Sequence, residues 1–250
     1  AFPGYERKVN QKALEQYLSF QYAPLEETFF KGIYKLMPGH MLLYKNGSYE
    51  IKTYFKPKLT PGQWNHKTNM AQLRSQLSEI LKDSVKHHML SDVEVGAFLS
   101  GGVDSGYLAS SSGADQAFTV GFDEGDRYSE VNKAAKVAEK AGLKHHVKII
   151  SKQEFWDALP DVMYHMDELL GDASAVALYF LSKEAAGHVK VVLSGEGADE
   201  LFGGYNIYRE PEALKKVAWI PFVLRRAVRK LAAKLPDVKG RDFLIRAGMK

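Results

Sequence analysis

The sequence predicts an α/β fold built on a doubly wound, mostly parallel sheet. Three observations point there. From residue 67 onward, apolar runs of strand length alternate with segments of helical length, and strands separated by helices pair in parallel with both faces covered. Two of those runs, 93–99 and 189–193, empty straight into glycine-rich turns, where open parallel sheets receive ligands. The 250 residues, 45% hydrophobic and 26% charged, suffice for one large core or two modest ones.

In chain order, residues 10–20 carry apolar side chains at helical spacing behind Asn10, a side chain able to cap. Residues 40–44 and 48–55 are β-rich and flank Asn46-Gly47. A two-residue turn with φ > 0 at both positions predicts a hairpin. Pro57, Pro61 and Gly62 mark residues 57–66 as a linker, dividing a first part, 1–56, from a second, 67–250. The second part reads as a helix over about 67–89, the strand 93–99, a glycine-rich turn and a short helix. A strand at 117–122, a helix over about 129–141 and a strand at 145–150 follow. Helices around 152–165 and 174–187 then lead to the strand 189–193. Residues 211–234 open a separate helical region. No segment repeats another.

Composition narrows the chemistry. With no cysteine, disulfides, cysteine-type zinc sites and thiol nucleophiles are excluded within these residues. The net charge of +4 favours anionic ligands without demanding nucleic acid. Much of the excess sits in Arg225, Arg226, Arg229, Lys230 and Lys234. No apolar run approaches the roughly 20 residues of a membrane span, and the opening Ala-Phe-Pro-Gly-Tyr-Glu-Arg lacks the features of a signal peptide. A cytoplasmic location is expected, with no membrane and no nucleic-acid partner. The chain starts without methionine and stops at Ala-Gly-Met-Lys, so both ends are expected to be cut.

The strand at 93–99 runs into Ser100-Gly101-Gly102-Val103-Asp104-Ser105. Adjacent glycines let backbone turn sharply and approach a ligand with no Cβ in the way. The following helix offers free N–H groups and the positive end of its dipole, an anion cradle to which Ser100 and Ser105 add hydroxyls. The alternative is a plain turn with Ser and Asp capping the helix. The loop lacks the Gly-Lys-[Ser/Thr] ending of a Walker A motif. Without a lysine against the phosphates, a magnesium ion is expected, with Asp104 the carboxylate to hold it. The hexapeptide resembles the signature of the PP-loop (N-type ATP pyrophosphatase) superfamily, an adenine nucleotide alpha hydrolase-like fold whose members split ATP into AMP and pyrophosphate.

A second strand exit, Ser194-Gly195-Glu196-Gly197-Ala198-Asp199-Glu200-Leu201-Phe202-Gly203-Gly204-Tyr205, is placed to face the same crevice. Glu196 and Asp199, three apart, would share one face of a helical turn. Asp199 could complete the magnesium site, and Glu196 could orient the reacting centre or handle protons on an amine. Acidic residues also favour helix N-termini, which is enough to explain Glu200. This dodecapeptide is similar to the asparagine synthetase family signature, found in looser form in β-lactam and carbapenam synthetases. Residues 91–99 also match, with Glu94 in place of the usual proline, and Gly106 replaces the family's serine or threonine.

The resemblance implies an ATP and pyrophosphate site of Phe98, Leu99, Ser100, Gly101, Gly102, Val103, Asp104, Ser105, Val120, Gly121, Ser194 and Gly195. It implies magnesium on Asp104 and Asp199, with Glu196, Asp104 and Asp199 as the catalytic residues. The implied activity is ATP-dependent amidation of L-aspartate to L-asparagine through β-aspartyl-AMP, releasing AMP and pyrophosphate. Residues 13–22, 30–36 and 37–40 look like the tail of the family's N-terminal-nucleophile glutaminase domain, whose catalytic cysteine is the first residue of the mature enzyme. Residues 1–56 would be its C-terminal remnant, with ammonia supplied by glutamine hydrolysis in preceding segments. Residues 67–250 would be the ATP-pyrophosphatase domain, incomplete at its C-terminus. Little or no activity is expected of these residues alone. The family reading leaves room for a homodimer in the full-length enzyme. A lactam-forming cyclase and a non-catalytic nucleotide-binding fragment are the alternatives.

Other features carry less. Neither His87-His88 nor His145-His146 makes a chelating face, since neighbours point to opposite sides of a strand and diverge by about 100° on a helix. No transition-metal site is expected. Residues 166–174 interrupt two helices, where Glu168 or Asp172 could orient an amino-acid ammonium or Asp172 could cap. Arg225, Arg226, Arg229 and Lys230 read as a solvated stripe.

Overall fold

The computed structural model describes residues 3–58, 69–123, 130–236, 238 and 240–249. Residues 59–68, which hold most of the expected linker and the start of the expected helix at 67, lie outside them, as does residue 129. The chain divides into two units between Ser194 and Gly195.

In the first unit, α1 (Gln11–Phe20) begins where the Asn10 side chain accepts from the Lys12 N–H. Asn10 Nδ2 also donates to the Thr28 carbonyl at 3.1 Å. Ala13, Ala23 and Phe29 form a small core with Leu14 and Tyr17. The hairpin β1 (His40–Lys45) and β2 (Ser48–Thr53) pairs antiparallel. It turns through Asn46 at φ 52° and Gly47 at φ 80°, the left-handed pair that the Asn-Gly dipeptide predicts.

Then follow α2 (Met70–His88), β3 (Val95–Phe98), α3 (Val103–Ser112), β4 (Gln116–Phe122), α4 (Val131–Ala141) and β5 (Lys144–Ile150). After them come α5 (Lys152–Asp157), α6 (Leu159–Met166), α7 (Ser174–Ala186) and β6 (Val191–Leu193). The four strands form one parallel sheet in the order β5-β4-β3-β6. Strand alternation sorts the two faces. Ala97, Leu99 and Ala117 meet Ala109, Ala134 and Ala138 of α3 and α4. Phe118, with Phe98 beside it, meets Ala185 and Val189 on the other face. Burying a side chain of Phe118's size stabilises by about 1.5–3 kcal/mol. Its ring takes the space a side chain at Gly96 would need: a Cβ there would lie 2.7 Å from Phe118 Cε2.

The single helix expected around 152–165 is two. A capping box of Ser151 and Glu154 starts α5. Pro160 stands in the first turn of α6, where its missing N–H costs nothing, whereas inside a continuous helix it would break the ladder.

The second unit holds α8 (Ala198–Phe202), a 3-10 turn (Asn206–Arg209), α9 (Glu210–Lys215), α10 (Phe222–Ala232) and α11 (Arg241–Ala247). Arg225 departs from the expected solvated stripe. Its guanidinium folds back, donating to the carbonyls of Ile220 and Ala247, both at 3.0 Å.

Candidate active site at the strand carboxyl ends

The chain leaves β3 through α3 to β4 and β5 on one side of the sheet, then returns to place β6 on the other side of β3. The strand order reverses there, and open parallel sheets bind ligands outside the carboxyl ends at such a reversal. Ala97 pairs with Leu193, so Ser100 and Ser194 emerge from adjacent parallel strands at one edge. Phe98 pairs with Phe118, which brings Val120, two residues on, to the same end.

The loop after β3 is organised by its own hydroxyls. Ser100 N–H donates to Ser105 Oγ at 3.1 Å, the two hydroxyls lie 2.9 Å apart, and Gly102 N–H donates to Ser100 Oγ at 3.3 Å. The N-cap of α3 is Gly102, with no side chain to cap it, so the first-turn N–H groups are left without a side-chain cap. The capping alternative for this loop is absent.

Gly101 has a different reason from open access to ligand. Its φ is +78°, and a Cβ would stand 2.8 Å from the Ala134 amide nitrogen. It is the contact point between loop and α4. Gly102 faces the loop interior, its Cβ position 3.2 Å from Ser100 Oγ.

Asp104 is exposed in the first turn of α3, and Val103 beside it is 86% exposed. Leu99 stands behind the loop. Its side chain is buried in the core, its N–H donates to the Phe118 carbonyl at 2.9 Å, and its carbonyl accepts from Thr119 Oγ1 at 2.6 Å. It supports the cradle from within. Val120 and Phe98 are partly buried at the strand ends, and Gly121 is buried. Ser194 is exposed.

The second loop continues into the second unit. Gly195 is half-buried and Glu196 exposed. Gly197 takes φ +89° as the N-cap of α8, so the helix begins after Glu196. The expected shared helical face for Glu196 and Asp199 is therefore not formed, because the left-handed glycine turns the chain between them. Asp199 lies in the first turn, half-buried, its carboxylate packed over Gly204, where a Cβ would fall 1.9 Å from Oδ1.

Tyr205, given no role by sequence reasoning, donates its hydroxyl to Glu200 Oε1 at 2.9 Å. That hydrogen bond first, then desolvation and the charges of Glu200, Asp199 and Glu196, push its phenol up to about 12. The signal was the aromatic hydroxyl five residues past a carboxylate. Thr119 was also missed: its hydroxyl meets His145 Nε2 at 2.8 Å as well as Leu99, and a lone threonine in an apolar strand was the sign.

The 166–174 loop is used structurally. Glu168 pairs with Lys35 at 3.2 Å, and Asp172 Oδ1, just ahead of α7, accepts from the N–H of its first residue, Ser174, at 2.8 Å. No helix of the described residues is long and apolar enough to cross a membrane.

Comparison with known proteins adds the following. The family model described as asparagine synthase matches residues 76–245, and that of a glutamine amidotransferase domain matches residues 1–55. Glutamine-hydrolyzing asparagine synthetase 1 of Bacillus subtilis strain 168 is 41% identical over 96% of this chain and 38% of its own length. Glutamine-hydrolyzing asparagine synthetase B of Escherichia coli strain K12 is 33% identical over 64% of this chain and 31% of its own. Amidase chyE of Penicillium rubens is 28% identical over 83% of this chain and 34% of its own. The chain thus spans well under half the length of these relatives. Among solved structures, the NH3-dependent NAD synthetase from Campylobacter jejuni aligns at a TM-score of 0.33 with 15% identity, over 72% of this chain and 93% of that one. A likeness that loose decides nothing, and the fold rests on the strand order above.

Proposed function

The chain belongs to the asparagine synthase family, and from that premise we propose that residues 67–250 activate the side-chain carboxylate of L-aspartate with ATP. The carboxylate oxygen attacks the α-phosphorus, and the bond to the β-phosphate bridging oxygen breaks. Pyrophosphate leaves and β-aspartyl-AMP remains. Ammonia then attacks the acyl carbon, AMP departs, and loss of a proton leaves asparagine.

The observation that carries this reading is the pair of exits from adjacent strands at the sheet reversal, after β3 and after β6, with an uncapped, lysine-free helix start following the first. The first-turn amides and the hydroxyls of Ser100 and Ser105 hold the departing pyrophosphate, and Phe98, Val120, Gly121, Ser194 and Gly195 line the nucleotide. Catalysis here is positioning and charge neutralisation. Exposed Asp104 and half-buried Asp199 offer the hard oxygen donors that magnesium takes. A magnesium ion would offset phosphate charge. Glu196 orients the reacting acyl group or takes the amine proton.

Residues 1–56 are assigned to the C-terminal part of a glutaminase domain. The 250 residues contain no cysteine, so free ammonium is the nitrogen source to supply to this chain. Titration calorimetry with magnesium–ATP tests the site: binding that Asp104→Ala abolishes supports it, and unchanged affinity in that variant refutes it. In the full-length enzyme, ATP and aspartate with glutamine or ammonium must yield AMP and asparagine. ADP and phosphate would contradict the mechanism.

A further inference from the structure

The sheet face under α7 carries a cluster that the reaction above does not use. His145 and His146 point to opposite faces of β5, as strand geometry requires. His145 meets Thr119 on the α3–α4 side, while His146 stacks on buried Phe118 with ring centroids 5.0 Å apart. There His146 meets Glu184, in the last turn of α7, and His188, in the turn that follows it. One ligand-capable atom from each of the three lies within 4.8 Å of the other two. Glu184 Oε1 is 3.7 Å from His188 Nε2. Judging each histidine pair by its sequence neighbour concealed this, because the partners come from another element.

The ring of His146 is set up by a relay behind it. Gln116 Nε2 donates to Glu94 Oε1 at 2.6 Å, and a carboxylate can only accept, so the amide orientation is determined. Gln116 Oε1 then faces His146 Nε2 at 2.8 Å and must accept from it. His146 therefore carries its proton on Nε2 and its lone pair on Nδ1. This is the outer-shell arrangement that holds metal-ligating histidines in one tautomer.

We propose that His146, Glu184 and His188 bind a divalent transition-metal ion of the zinc class, joining the end of α7 to the edge strand β5. Two imidazoles and one carboxylate suit zinc, nickel or copper and disfavour magnesium and calcium. Ligand bonds of about 2.0–2.2 Å require the three atoms to close from their present spacing. The two imidazole planes are tilted 36° with centroids 4.0 Å apart, so a shared ion requires one ring to turn. His188 supplies that movement, being exposed just beyond the C-terminal residue of α7. Phe118 walls the site on the core side, and water completes the coordination.

The test uses the full chain stripped with a chelator, titrated with zinc by calorimetry and with cobalt(II) by visible absorption. One ion per chain is expected, with the cobalt band of a four- or five-coordinate nitrogen–oxygen site and a rise in Tm on adding zinc. His188→Ala and Glu184→Gln, both at the helix end, should fold normally and weaken zinc binding at least tenfold. Gln116→Ala should weaken it by about 10–100-fold through loss of the outer shell. Removing the exposed pair His87 and His88 together should change nothing. Zinc affinity unchanged in His188→Ala, binding lost with the His87/His88 pair instead, or no micromolar binding to the unaltered chain would each overturn the proposal.

Discussion

The hydroxyl of Thr119 donates to the carbonyl of Leu99 at 2.6 Å, tying β4 to the last residue before the loop that turns into α3. Leu99 and Thr119 are each 2% exposed, so this carbonyl cannot turn to water for a replacement. Thr119→Val keeps the shape and removes both the donor to Leu99 and the partner of His145 Nε2. Leaving a buried acceptor unpaired costs about 1–3 kcal/mol, and the same loss should appear as a lower urea midpoint with unchanged m-value. Magnesium–ATP affinity should fall with it, since the loop loses its rear support. A midpoint equal to that of the unaltered chain would show that the hydroxyl contributes nothing.

Gly101 and Gly102 separate support from access. Alanine at Gly101 must hold φ +78° and put its Cβ against Lys133 and Ala134. The backbone strain alone costs about 1–2 kcal/mol, so denaturation should show a clear loss of stability. Alanine at Gly102 has φ −75° and only Ser100 Oγ nearby, at 3.2 Å. Its stability should change by no more than about 0.5 kcal/mol, while nucleotide affinity drops because a methyl stands inside the cradle. Equal stability losses in both variants would contradict this division.

What the sequence made legible is what local chemistry decides. The hairpin was readable because Asn46-Gly47 demands positive φ twice, and the parallel sheet because apolar strands alternate with helices. The placement of β6 beyond β3 was not, since strand order is settled by packing between distant segments. Glu196 and Asp199 looked like a helical pair, but Gly197, at φ +89°, is the N-cap of α8 and leaves Glu196 ahead of the helix. Arg225 read as a surface charge because its carbonyl acceptor at Ala247 is 22 residues away. The cluster of His146, Glu184 and His188 was hidden for the same reason.

Glu154 should shape the acid limb of stability. Its hydrogen bond from Lys148 first, then those from the backbone and hydroxyl of Ser151, pull its carboxyl from the usual 4.5 to about 2. A carboxyl whose folded pKa is depressed contributes stability fully above 4.5 and loses it as pH falls toward 2. Urea titrations between pH 5 and pH 2 should show a shallower loss in Glu154→Gln than in the unaltered chain. Parallel curves for the two proteins would show that Glu154 does not titrate in that window.

Tyr205 should act at the opposite end. Its phenol is raised from 10.0 to about 12, so its hydrogen bond to Glu200 stabilises fully below pH 10 and is lost as pH climbs toward 12. Ultraviolet titration should show one tyrosine ionising after the others. Glu200→Gln should bring it back toward 10, since the charge and the charge-assisted acceptor both disappear. No late-titrating tyrosine, or one unaffected by Glu200→Gln, would contradict the pairing.

Gly204 tests whether the present position of the Asp199 carboxylate matters for nucleotide. Gly204 N–H donates to the Asp199 carbonyl at 3.0 Å, and the Asp199 side chain lies where a Cβ at Gly204 would be, 1.9 Å from Oδ1. Gly204→Ala must therefore rotate that carboxylate away, while its own φ is not in the left-handed region. If Asp199 holds magnesium, affinity for magnesium–ATP falls about tenfold or more, a difference of about 1.4 kcal/mol, with helical circular dichroism unchanged. Gly203→Asn is the matched control. Its φ of +67° suits asparagine, its nearest neighbour is Tyr208 Cδ2 at 3.9 Å, and it leaves Asp199 in place. Equal affinities for the two variants would remove Asp199 from the metal site, because the only relevant difference between them is where that carboxylate can lie.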